Sequence, residues 1–194
     1  MRYKEFNTQR VLEDCISLFW DNGFGACAIK DIVSKTNVNR FSLYQEFENK
    51  EGILHQSMQL YEHRYSTKQQ ELLLSNKPIK TILKEFFISF LSDSNTHPPG
   101  DYILHISTEL ADTNIKVKNT LDAYLNNLQN QFELLFKKHS KTIEQPEFLA
   151  KHVTALFCTS MCYSVIHPYK NRVSLVDNGL NILLNNTTTH ATNT

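Results

Sequence analysis

Apolar residues recur three and four positions apart along this chain, and no segment shows convincing period-two alternation. Such spacing gives each segment one apolar stripe and predicts an all-α protein. The first helix is expected to open with Asn7 or Thr8 as its cap, run through Val11, Leu12, Cys15, Ile16, Leu18 and Phe19, and stop at Asn22-Gly23. Ile29, Ile32 and Val33 mark a short amphipathic helix, and Val38 to Phe47 contains another, with Lys35 to Val38 as the tight turn between them. Asn49 reads as the cap of a long helix that starts at Lys50, carries Ile53, Leu54, Met58, Leu60, Tyr61 and Tyr65, and ends at Asn76-Lys77-Pro78.

A second block follows. Ile79, Ile82, Leu83, Phe86, Phe87, Phe90 and Leu91 define an aromatic-rich helix, succeeded by a polar loop from Ser92 to Gly100. A short helix is expected from Asp101 to about Ala111. After it comes a long one with Val117, Leu121, Tyr124, Leu125, Leu128, Phe132, Leu135 and Phe136 on one stripe. Pro146 suits the first position of the next helix, which carries Leu149, Val153, Leu156, Phe157, Met161 and Val165 and ends at His167-Pro168. A last helix is expected from Ser174 to Leu184, and the Asn- and Thr-rich tail is expected to be disordered.

The chain has 194 residues, with five glycines and five prolines, which suits a small module joined to a larger helical domain. No run of about 18 apolar residues offers a membrane span. The start, Met1 to Asn7, lacks the apolar core of a signal peptide, so a cytoplasmic protein is expected. The cysteines at 15, 27, 158 and 162 form no Cys-x-x-Cys and read as reduced core residues. Neither a metal nor a cofactor is expected. His105 and Glu109 lie four apart on one helix, but no third ligand at a metal-like spacing accompanies them.

Charge gives no sign of a nucleic-acid partner, because twenty basic and twenty acidic residues cancel. Residues 1 to 54 carry Arg2, Lys4, Arg10, Lys30, Lys35, Arg40 and Lys50 against eight acidic groups. Any DNA affinity must therefore come from where these few cations and the helix N-termini sit.

The run from Val38 to Leu54 carries more specific information: Val-Asn-Arg-Phe-Ser-Leu-Tyr-Gln-Glu-Phe-Glu-Asn-Lys-Glu-Gly-Ile-Leu. Leu43 and Phe47, four apart, supply an anchoring face, which leaves Arg40, Phe41, Ser42, Tyr44 and Gln45 facing outward. A short helix entering the major groove needs this arrangement, with a polar cap before it and side chains able to reach base edges. Arg40 suits guanine and Gln45 adenine. In order and spacing, this run resembles the signature of the tetracycline-repressor (TetR) family. Leu18-Phe19, Gly23-Phe24, Ile29 and Ile32 continue the likeness over about 45 residues in all.

The resemblance implies a three-helix helix-turn-helix DNA-binding domain over 1–52, a helical effector-binding and dimerisation domain over 53–185, and a tail over 186–194. It implies DNA-binding residues Lys30, Asn39, Arg40, Phe41, Ser42, Tyr44, Gln45 and Lys50, with Tyr44 and Lys50 on backbone phosphates. Three departures from the family pattern stand out. Cys27 and Ala28 stand where Thr or Ser is usual, although Asp31 still offers half of a capping box. Asn37 replaces the turn glycine, which its tolerance of left-handed geometry allows. Phe41 takes a normally small position and is expected to meet a thymine methyl or a sugar. Glu46 and Glu48 would repel phosphate unless turned away.

The resemblance further implies an operator-binding homodimer joined through the helices at 146–167 and 174–184, with Ala155, Ser160 and Ser164 permitting close helix approach. It also implies a small-molecule effector that shifts the dimer away from its DNA-binding state, with the helix from Lys50 as the transmitting element. Candidate pocket residues are Phe86, Phe90, Tyr102, His105, Glu109, Tyr124, Leu128 and Phe157. Repression is the family's usual mode. The alternatives are an activator, or a helical adaptor that keeps the fold without effector-controlled release. An enzyme is not expected, since the sequence contains no nucleophile elbow, phosphate loop or paired His-Glu metal motif.

Overall fold

Asn7 and Gly23 bracket the first helix as their chemistry requires. In a computed structural model of the chain, which describes residues 6–91, 100–139, 143–164 and 166–186, Asn7 Oδ1 accepts from Arg10 N at 3.0 Å. At the other end Gly23, at φ 81°, returns its amide to Phe19 O. The described residues form nine α-helices and no strand. They are α1 (Thr8–Asn22), α2 (Ile29–Thr36), α3 (Arg40–Phe47), α4 (Lys50–Leu73), α5 (Ile79–Leu91), α6 (Tyr102–Leu110), α7 (Ile115–Lys138), α8 (Pro146–Ser164) and α9 (Tyr169–Asn186).

The all-α expectation holds, with most boundaries within a residue or two. The larger differences are at α8, which ends at Ser164 rather than His167, and at α9, which begins at Tyr169 rather than Ser174. Its first turn holds Arg172, only 3% exposed, whose guanidinium donates to Leu91 O at 2.9 Å. A cation in a core position breaks the apolar periodicity there and hides the start of the helix. The expected tail and most of the Ser92 to Gly100 loop lie outside the described residues.

The helices gather into two compact units. One holds α1, α2, α3, the N-terminal part of α4, α6 and the first turns of α7. Its core is aromatic. Trp20, Tyr61 and Tyr102 stand with ring centroids 5.4 to 5.7 Å apart, beside buried Phe19, Ile53 and Leu54. The Tyr102 hydroxyl is satisfied within this core by Ser57 Oγ at 2.8 Å, and burial pushes its phenol pKa up.

The other unit holds the remainder of α4 and α7 with α5, α8 and α9. Phe86 lies at its centre, with the rings of Phe87, Phe90, Phe132 and Phe157 all 5.1 to 5.9 Å away. Lys138 closes the C-terminal end of α4 by donating to Leu74 O, Ser75 O and Asn76 Oδ1 at 3.1 to 3.2 Å. Lys84 pairs with Asp177 at 2.9 Å, tying α5 to α9.

Two half-buried histidines make stability depend on pH. Burial lowers the pKa of His55 below its ordinary value, and nearby Lys116 lowers it further. Burial also lowers His105, against a smaller opposing pull from Glu109. Both groups bind protons more readily when the chain is unfolded, so stability rises with pH between the folded and unfolded values and is complete above about pH 6.5. The thermal midpoint is expected to fall as pH is lowered from about 7.5 to about 5.5. A His55→Gln, His105→Gln double variant should flatten that slope, and a variant as steep as the parent would refute the assignment.

Candidate nucleic-acid interface

The short helix α3 is built to present one face. Asn39 caps it, its Oδ1 accepting from Ser42 N at 2.9 Å, while Leu43 and Phe47 are 0% and 1% exposed on the inner side. Asn37 takes left-handed geometry at φ 55° and ψ 21°, turning the chain from α2 toward α3. Outward stand Arg40, Phe41 and Gln45, with Tyr44 and Ser42 half-buried. Phe41 is 68% exposed, so its ring is available for contact from outside the chain. The Arg40 guanidinium lies 5.1 Å from the Tyr44 ring centroid, so cation and ring brace one another at the surface.

Lys30 is exposed at the start of α2. Lys50 is half-buried: its ammonium donates to Phe24 O and lies 4.0 Å from the Phe24 ring centroid. The sequence offered no sign of this partner. Ala28 caps α2 without a side-chain oxygen, and only the other half of the box is made, with Asp31 Oδ2 accepting from Ala28 N at 2.8 Å. Glu46 accepts from Thr8 Oγ1 of α1 at 3.4 Å. Glu48 sits at φ 67° in the turn between α3 and α4, a conformation that costs a non-glycine residue about 1 kcal/mol or more.

The pocket candidates divide between the two units. Phe86, Phe90 and Phe157 meet in the ring cluster of one unit, with Phe90 and Phe157 at 4.9 Å. In the same unit Leu128 is buried, and Tyr124 donates to Asp101 Oδ2 at 2.8 Å. Tyr102, His105 and Glu109 belong to the other unit. The Glu109 carboxylate accepts from Phe24 N at 2.9 Å and from Gly25 N at 2.6 Å, which the sequence reading did not foresee. A surface recess of about 590 Å³ is lined by Gln129, Gln145, Pro146, Glu147, Phe148 and Lys151, none of them a pocket candidate.

The cysteines are free thiols, but Cys162 is exposed rather than in the core, on the outer side of α8. Burial pushes Cys15 up to about 12 and Cys158 up to about 11, which leaves both protonated and unreactive at neutral pH. Among the described residues no group of three or more His, Cys, Asp or Glu could hold a metal, and no helix is long and apolar enough to cross a membrane.

A capped short helix turned outward on two supporting helices, followed by a helical domain, is the architecture of a helix-turn-helix regulator. Residues 11–56 match the profile described as bacterial regulatory proteins, tetR family. The chain is 28% identical over 123 residues to the HTH-type transcriptional repressor ComR of Escherichia coli, an alignment covering 62% of this chain and 59% of ComR. It is 25% identical over 177 residues to the HTH-type transcriptional regulator YerO of Bacillus subtilis, covering 90% of this chain and 58% of YerO. The chain thus spans less than two thirds of the length of either relative. A solved structure of a cysteine mutant of the TetR family transcriptional regulator CifR, complexed with double-strand operator DNA, superposes with a TM-score of 0.83. The sequences are 15% identical there, and 93% of this chain and 98% of that one are covered. Residues 11–56 thus carry the N-terminal domain of the TetR family, and the rest of the chain shares the fold of solved TetR-family regulators.

Proposed function

We propose that the chain is a homodimeric transcriptional regulator that places α3 in the major groove of an operator and is released by a small apolar effector. The observation that carries this reading is the outward face of α3, where Arg40, Phe41 and Gln45 are exposed beside a half-buried Tyr44 while Leu43 and Phe47 anchor the helix behind them. Arg40 and Gln45 supply base-edge contacts, Phe41 an apolar contact to a thymine methyl, and Tyr44, Lys30 and Lys50 phosphate contacts that set register. Asn39 serves chiefly as the cap, and Ser42 at the first turn of α3 is placed to reach a phosphate or a base edge.

The CifR complex with operator DNA and the repressor description of ComR support the DNA reading and the negative sign of control. The effector would enter among Phe86, Phe90, Tyr124, Leu128 and Phe157 by displacing packed rings. Tyr102, His105 and Glu109 are left out, being held in a different unit. The test is fluorescence anisotropy of the purified protein against DNA from upstream of its own gene. Nanomolar binding that competitor DNA of unrelated sequence does not displace is expected. Equal affinity for all DNA, or none, would leave the fold as a helical adaptor.

Dimerisation through α8 and α9 is supported by large apolar side chains that one chain leaves uncovered. Phe148 is 56%, Ile166 73% and Ile182 62% exposed, on or beside these helices. Ala155 lies on the same outer side, whereas Ser160 and Ser164 are buried within the chain and bond back to Leu156 O and Met161 O. The small residues expected to aid the dimer contact therefore do not all face outward. In light scattering the protein should have twice the mass of one chain, and Phe148→Glu with Ile182→Glu should convert it to the monomer, since burying like charges at a two-fold interface is strongly unfavourable. A double variant that remains dimeric would place the interface elsewhere.

A further inference from the structure

The turn between α1 and α2 is held from two sides by side chains far along the chain. Glu109 of α6 accepts from two successive backbone amides, Phe24 N on Oε2 at 2.9 Å and Gly25 N on Oε1 at 2.6 Å. Lys50, the first residue of α4, donates to the carbonyl of Phe24 and covers that ring. The Phe24 ring packs edge-on against Phe19 at 5.3 Å. A carboxylate facing two adjacent amides forms charge-assisted hydrogen bonds, about twice as strong as neutral ones.

Space for this contact comes from the absence of a side chain. A Cβ at Gly25 would lie 2.8 Å from Glu109 Oε1, and one at Gly23 would lie 3.3 Å from Oε2. The turn leads directly into α2, whose packing against α3 fixes the angle at which the recognition helix is offered. The geometry points to Glu109 as a positioning residue for DNA binding: it fixes the Phe24–Gly25 turn, and through it α2 and α3, without touching DNA itself. This inference rests on the reading of α3 as a DNA-recognition helix.

A residue acting this way leaves a distinctive signature. Glu109→Ala should weaken operator binding roughly five- to thirtyfold, the span that corresponds to one or two kcal/mol. The slope of log affinity against log salt should stay at its parental value, because no phosphate contact is lost. In NMR hydrogen exchange, the Phe24 and Gly25 amides should lose protection while core amides of α1 keep theirs.

Gly25→Ala tests the same contact from the opposite side, since Gly25 has no positive φ to strain and its new methyl displaces the carboxylate. The two variants together should cost no more than either alone. Unchanged exchange at Phe24 and Gly25, or a reduced salt slope in Glu109→Ala, would overturn the inference. So would a parental protein that binds operator with an affinity both variants retain. A parental protein that binds no DNA, with exchange still responding to Glu109→Ala, would instead remove the functional reading and the role built on it.

Discussion

Replacing Tyr44 and Lys50 together by alanine is expected to lower operator affinity by about three powers of ten. On the proposed reading each side chain would supply one phosphate contact per protomer, so a homodimer would lose four. At about 1 kcal/mol net for each, the loss is about 4 kcal/mol, and 1.4 kcal/mol is tenfold. The loss should be nearly uniform across operator variants, because phosphate contacts carry no sequence information. The salt slope should fall by about 2, one for each lysine of the dimer.

Lys50 also binds Phe24 O, so the double variant disturbs the α1–α2 turn as well. Tyr44→Phe isolates the hydroxyl, since it keeps the ring beneath the Arg40 guanidinium. It should cost a modest part of the total and leave the thermal midpoint where it was. Anisotropy titrations at several salt concentrations measure both quantities. Full-strength binding by the double variant would remove α3 and the start of α4 from the interface.

Local chemistry was legible in the sequence wherever a helix begins or ends on a residue with one physical reason to be there. Asn7, Asn39 and Asn49 cap α1, α3 and α4 through their side-chain oxygens, and Asn37 takes the left-handed position that glycine would otherwise fill. Pro146 opens α8. The inner face of α3 followed from the four-residue spacing of Leu43 and Phe47, a pattern that one helical period sets. Where a polar residue occupies the core the pattern fails, as at Arg172 in the first turn of α9.

Contacts between distant parts of the chain could not be read in this way. Glu109 lies 85 residues from Phe24, and its four-residue spacing to His105 gave no sign of a backbone partner. Helical period shows that Phe86, Phe90 and Tyr102 all face inward but not which core each enters, and they enter two. The orientation of α8 was similarly open. Its buried Ser160 and exposed Cys162 lie two residues apart, and the packing of α5 and α9 against α8 decides which is covered.

The largest expected effect on stability belongs to Phe86→Ala. The side chain is 0% exposed and touches four other rings, those of Phe87, Phe90, Phe132 and Phe157. Truncating a buried phenylalanine typically costs 3 to 5 kcal/mol, from lost transfer energy together with the cavity left behind. Each edge-on ring pair adds about 0.5 kcal/mol or more beyond burial, so this site belongs near the upper end of that range. A domain is stable by roughly 5 to 15 kcal/mol, so the variant loses a large share of its margin, and a midpoint drop of about 10 °C or more is expected. Phe148→Ala is the control. That ring is 56% exposed, and its removal from the monomeric form should fall within about 0.5 kcal/mol of neutral. Urea denaturation of both variants in the Ile182→Glu background, at concentrations where light scattering reads the mass of one chain, compares them without the dimer contribution. A Phe86→Ala cost no larger than that of Phe148→Ala would mean that the five rings do not form a single packed core, and the apolar effector site proposed among them would lose its physical basis.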